Sequence, residues 1–190
     1  MTTVLLFHHA QGQTKGFLAF ADELRDAGHI VHTPDLYDGH TFQDLNEGVA
    51  YAREVGFGEI MRRGEATATD LPPDIVYAGF SLGVMPAQSL AQNRPGARGA
   101  LFYSAAMPAS EFDSPWPPGL PLQVHMMDAD EWSDEDREAA KGLVKEIDDA
   151  ELFLYPGSGH LFADSSLDDY DEKAAGLLME RTLAFLDRVG

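Results

Sequence analysis

A chain of 190 residues with 44% hydrophobic content suits one domain (1–190) and is long enough to bury a core on both faces of a sheet. A formal net charge of −19 argues against nucleic acid and anionic membrane surfaces as partners, since both are bound through basic patches and none is visible. The lack of cysteine excludes disulfides, thiolate catalysis and zinc–thiolate sites, and fits a reducing compartment.

Val4–Phe7 reads as a buried strand, too short and without the basic flank that a secretion signal needs. No stretch approaches a membrane span, so a cytoplasmic protein is expected. His8 to Gly12 ends that strand, and Thr14 caps a helix over about Lys15–Ala27. His29–Thr33 is a second strand, and Pro34–Gly39 breaks away from it. A helix from Glu47 to Ala68, interrupted at Gly56 and Gly58, precedes Pro72–Pro73, which force an extended entry into the next strand. Gly99–Tyr103, Leu122–Met126 and Ala150–Tyr155 are further strands. Ser104–Leu120 is a proline-rich loop, Ser133 is an expected N-cap for a helix ending near Asp149, and a last helix covers Asp171–Val189. There is no repeat or linker. Alternating strands and helices predict a mostly parallel sheet of six or seven strands with helices on both faces.

The chain is organised around Asp74–Met85. Ile75–Ala78 reads as a strand, Gly79-Phe80-Ser81-Leu82-Gly83 is a G-x-S-x-G pattern, and Leu82–Gln92 continues as a helix. The pattern alone describes many ordinary turns. Between a strand and a helix it describes a strained elbow that projects a serine hydroxyl beyond the sheet edge, with glycines letting strand and helix approach. Serine needs a base, and the imidazole needs a carboxylate to fix its tautomer. His160, in a glycine-rich loop after the last strand, is the expected base. Asp130, in the turn after the fifth strand, is the preferred acid, with Asp128 as its alternative. The order Ser81, Asp130, His160 is that of the α/β-hydrolase fold. The oxyanion donors are expected from the backbone of Leu82 and Ala10, with His9 beside the nucleophile. The histidines do not form a metal-binding pattern. His29 and His32 point to opposite strand faces, and His125 reads as a core residue.

Val4–Gly12, Thr33–Tyr37, Gly79–Gly83, Val124–Trp132 and Gly157–Phe162 together resemble the dienelactone hydrolase family of α/β-hydrolases. The resemblance implies Ser81 as nucleophile, Asp130 and His160 as its partners, and Ala10 and Leu82 as oxyanion donors. Two positions depart from the family's pattern. The family's best-known members carry a cysteine nucleophile with a glutamate after the first strand, where this chain has Ser81 and His9. They also carry an arginine shortly after the histidine, where this chain has Leu161-Phe162-Ala163-Asp164, and an aspartate there would repel an anionic substrate.

Ser104–Leu120 is too short for a lid, so an open site is expected, with Tyr37, Phe42, Phe112 and Trp116 either as pocket walls or as ordinary loop packing, and His9 either orienting the substrate or hydrogen-bonded to structure. The expected function is a cofactor-free, metal-free serine hydrolase of small or medium carboxylic esters or lactones, as a monomer or a homodimer. The alternatives are a non-catalytic binding module on the same scaffold, or an acyltransferase or peptidase using the same trio.

Overall fold

The computed structural model describes residues 1–190. Six strands form one parallel sheet in the order β2-β1-β3-β4-β5-β6. The strands are β1 (Thr3–Phe7), β2 (Ile30–His32), β3 (Val76–Phe80), β4 (Gly99–Tyr103), β5 (Leu122–Met127) and β6 (Ala150–Tyr155). The helices are α1 (Lys15–Asp26), α2 (Leu45–Val55), α3 (Phe57–Thr67), α4 (Val84–Asn93), α5 (Asp134–Glu146) and α6 (Glu172–Val189).

The central strands are apolar throughout because both of their faces are covered. Alternation along β1 shows this directly. Leu5 and Phe7 join a core with Ala52 of α2, Ile60 of α3, Val84 and Ala87 of α4, and Leu143 of α5. Val4 and Leu6 join the opposite core, with Phe17, Phe20 and Leu24 of α1 and Leu178 and Phe185 of α6. α2–α5 therefore cover one face, and α1 and α6 the other.

Two local differences from the sequence expectations have clear causes. Of the two interruptions expected in Glu47–Ala68, the break falls at Gly56, whose φ of +94° ends α2 there, whereas Gly58 lies inside α3. β3 runs on to Phe80 because Gly79 and Phe80 pair with Phe102 and Tyr103 of β4, so the apolar run alone underestimated the strand.

The sheet order reverses direction between β1 and β3. β1 leads into α1 on one face, and β3 leads into α4 on the other, which opens a crevice at their carboxyl ends. No helix is long and apolar enough to cross a membrane.

Candidate active site

Ser81 is placed by strain and by missing side chains. It is one of three non-glycine residues with positive φ, at +49°. This left-handed conformation costs roughly 1–3 kcal/mol and persists only where its surroundings fix it. The fixing contacts are visible at the two flanking glycines. A Cβ on Gly79 would collide with the Gly83 carbonyl, and one on Gly83 would stand 2.5 Å from Phe7 O and 2.7 Å from His8 O. Phe80, just before Ser81, stacks on Tyr103 at 4.4 Å and meets Phe20 edge-on at 5.0 Å, which anchors the strand end in the α1/α6 core.

Ser81 Oγ lies 2.7 Å from His160 Nε2. His160 Nδ1 lies 2.7 Å from Asp130 Oδ2. With Asp130 ionised, Nδ1 carries the proton, which leaves Nε2 free to accept from the serine hydroxyl. Both His160 and Asp130 are buried, at 5% and 1% exposure, so water competes little for these bonds. Burial by itself would raise the Asp130 carboxyl. Hydrogen bonds from His160, Ser133 and the Trp132 N–H outweigh it and hold the group below its ordinary range. Asp128 points elsewhere: it is exposed, and its carboxylate accepts the Gly157 N–H at 3.0 Å.

Ser133 was expected to cap α5, yet its side chain makes no capping bond. Its fully buried hydroxyl lies 2.5 Å from Asp130 Oδ2, 2.9 Å from Ser104 O and 3.2 Å from His160 Nδ1. Ser104 presents that carbonyl from a left-handed backbone, φ +62°. The cap of the turn Glu131–Ser133 is Asp130 itself, accepting the Trp132 N–H at 2.9 Å. The spacing Asp130-x-x-Ser133 was the only sequence signal for this contact.

The two expected oxyanion donors, of Leu82 and Ala10, are main-chain N–H groups. Ser81–Gly83 is a short 3-10 turn leading into α4, and the first N–H groups of such a stretch, including that of Leu82, lack acceptors within it. Across the crevice, the Ala10 N–H donates to no acceptor in the chain. A Cβ on Gly48 of α2 would strike the Ala10 carbonyl, so α2 backs this peptide directly.

His9 and Asp164, the two departures noted in the sequence, touch each other. His9 Nε2 lies 2.8 Å from Asp164 Oδ2, and both side chains are buried. The carboxylate also accepts from the Thr14 hydroxyl and from the Ser166 N–H and hydroxyl. Burial pushes its pKa up, but those bonds prevail and hold it at about 2. Asp164 thus does not present an open charge to the substrate, as the sequence suggested; its charge is spent on buried donors.

The expected pocket walls fall elsewhere. His9 is 1% exposed, and Tyr37 is fully buried against His8, Phe42 and Tyr51. Ser104–Leu120 runs down α4: Gln88 binds Met107 O, and Gln92 binds Ala109 O and Ser114 O. Phe112 lies in the segment between those last two anchored carbonyls. Trp116 packs beside the Arg94–Ala97 turn at the amino end of β4, its indole N–H on Leu120 O. Trp116 meets the Phe102 ring edge-on at 6.1 Å, and Phe112 stacks on no ring of the relay. The aromatic that does adjoin the relay is Trp132, 49% exposed and 6.2 Å from the His160 ring. A cleft of about 640 Å³ lies between Ala106–Glu111 and Glu135–Glu146, and neither Ser81 nor His160 lines it. No group of three or more His, Asp or Glu side chains is arranged to hold a metal ion.

The dienelactone hydrolase family profile matches residues 1–190. The chain belongs to the dienelactone hydrolase family. Membership places it among hydrolases of the α/β type. Among solved structures, a dienelactone hydrolase-like promiscuous phosphotriesterase from metagenomic libraries is 16% identical, with TM-score 0.75, over 100% of this chain and 87% of that one. Esterase 2 of Thermogutta terrifontis, in a form phosphonylated by cyclosarin, is 14% identical, with TM-score 0.72, over 100% and 83%. Esterase PE8 is 21% identical, with TM-score 0.69, over 100% and 93%. At these identities the likeness speaks for the fold. No curated protein sequence matches the chain.

Proposed function

We propose that this member of the dienelactone hydrolase family hydrolyses small or medium carboxylic esters or lactones through an acyl-Ser81 intermediate. The observation that carries this reading is the relay of two 2.7 Å hydrogen bonds from Ser81 through His160 to Asp130, at an elbow facing a free main-chain donor.

Ser81 Oγ attacks the ester carbon as its proton passes to His160 Nε2, and Asp130 stabilises the imidazolium without taking the proton. The negative oxygen of the tetrahedral intermediate is held by the N–H groups of Ala10 and Leu82, already oriented before the substrate arrives. Collapse breaks the bond to the leaving alkoxide, which takes the proton from Nε2. Water, deprotonated by the same nitrogen, then attacks acyl-Ser81, and a second collapse releases the acid and restores the serine. Esterases among the fold's relatives are in keeping with this chemistry.

The test is hydrolysis of an activated aryl ester by the wild type and by Ser81→Ala. Activity that disappears in the variant while the fold persists supports the reading, and equal turnover by both refutes it.

A further inference from the structure

The His9–Asp164 contact joins two loops that the proposed chemistry uses separately. One carries the Ala10 N–H after β1, and the other follows His160. We propose that Asp164 and His9 form a positioning latch that holds the Ala10 donor in register with the histidine loop. The inference rests on the hydrolase reading above.

The tautomer of His9 can be deduced from its neighbours. The Gln11 N–H donates to Nδ1 at 3.2 Å, so Nε2 carries the hydrogen and donates to Asp164. One ring therefore grips the peptide immediately after Ala10 with one nitrogen and Asp164 with the other. The His9 carbonyl is also occupied, accepting the Gly12 N–H at 3.0 Å and the His8 Nδ1–H at 2.8 Å. Asp164 stands four residues beyond His160, with its own N–H on Leu161 O. No lysine or arginine neutralises Asp164; its burial is offset by neutral donors, so losing one leaves a charge short of partners. The third loop element is tied in as well. Thr14 donates to Asp164 while accepting the Phe17 N–H as the N-cap of α1. The packing leaves no slack, since a Cβ on Gly16 would fall on Asp164 Oδ1.

Asp164 and His9 are thus positioning residues, and loosening them should act on the transition state more than on substrate binding. Asp164→Asn is expected to lower kcat for an aryl ester by about tenfold to a hundredfold with KM little changed, the scale of a displaced oxyanion donor. The sharper readout is a matched pair of oxygen and thiono esters. Sulfur is a poor hydrogen-bond acceptor, so a well-placed donor favours the oxygen ester, and the variant should show a narrower preference. His9→Leu should act in the same direction, and His9→Gln, whose amide can still donate to Asp164, should recover part of the loss.

Amide hydrogen exchange at Gln11 and Gly12 tests the latch without relying on turnover. Faster exchange there in Asp164→Asn and His9→Leu, with α6 unchanged, supports it. Ser166→Ala, which removes one donor, gives the same test with an intermediate effect if Asp164→Asn does not fold. Unaltered exchange at both amides, or an unaltered oxygen-to-thiono preference at reduced kcat, would overturn the latch. If the wild type hydrolysed neither ester, the proposed function would fail while the exchange data still decided the latch.

Discussion

Asp130 Oδ2 is shared by His160 Nδ1 at 2.7 Å and the Ser133 hydroxyl at 2.5 Å, so one carboxylate oxygen orients the imidazole and is itself held by a buried serine. The same hydroxyl also reaches Ser104 O at 2.9 Å, which ties the relay to the end of β4. Ser133→Ala would remove the single hydroxyl proton that Asp130 Oδ2 and Ser104 O compete for, leaving the carboxylate with one donor fewer. The expected cost is about 1–3 kcal/mol in stability, with kcat lowered about tenfold and KM little altered. Urea unfolding and ester kinetics on the same preparation check both effects.

Asp130→Asn should be far more damaging than Asp128→Asn. An amide N–H facing Nδ1 would force the other imidazole tautomer, placing a hydrogen on Nε2 where the serine proton must go. A fall of about 10³–10⁴-fold in kcat is expected, on the scale seen when the equivalent acid is replaced in a serine protease. Asp128 holds only the Gly157 N–H from an exposed position, so its asparagine variant should stay within a few-fold of wild type. Comparable losses in both variants would contradict the assignment of roles.

The locations of the strands and of the serine elbow were legible because they are local. Parallel strands covered on both faces, such as Val76–Phe80, are continuous apolar runs. The elbow is specified by Gly79 and Gly83, both within two residues of Ser81. Contacts made across the chain were not legible. Ser133 resembled a helix cap because nothing nearby announces His160, 27 residues later. Asp164 resembled an open charge because its partner His9 is 155 positions away. Trp116 and Phe112 looked like pocket walls because the sequence does not reveal that Gln88 and Gln92 draw their loop down α4.

Acid should destabilise the protein in two stages. Burial lowers His8 from 6.5 to about 4 and His125 from 6.5 to about 3. In both, the unfolded chain takes up the proton first. The stability they confer is complete above pH 6.5 and is lost as pH falls towards their folded values, roughly 3 kcal/mol for His8 and roughly 5 kcal/mol for His125. Asp164, lowered from 3.8 to about 2, follows the same sign, its contribution present above pH 3.8 and lost as pH falls towards 2. Denaturant melts from pH 7 to 3 should therefore begin to weaken near pH 6.5. His125→Gln should flatten that first decline, and a profile unchanged by the substitution would count against His125 as a cause.

Gly83→Ala and Gly142→Ala should change stability in opposite directions. At Gly83 the added methyl meets the Phe7 and His8 carbonyls, so β1 and the elbow must separate, at roughly 2–3 kcal/mol and with loss of ester hydrolysis. At Gly142, inside α5, the methyl meets nothing within 4 Å, and the gain in helix propensity should stabilise by about 0.5–1 kcal/mol. Thermal melts of the two variants provide the comparison.

The most direct measurement is mass spectrometry of the intact protein after exposure to a fluorophosphonate, followed by peptide mapping. A single adduct on Ser81, absent from Ser81→Ala and greatly slowed in Asp130→Asn, is the predicted result. Wild-type protein that stays unmodified under conditions that label a known serine esterase, or that is labelled equally well after Ser81→Ala, would contradict Ser81 as the nucleophile.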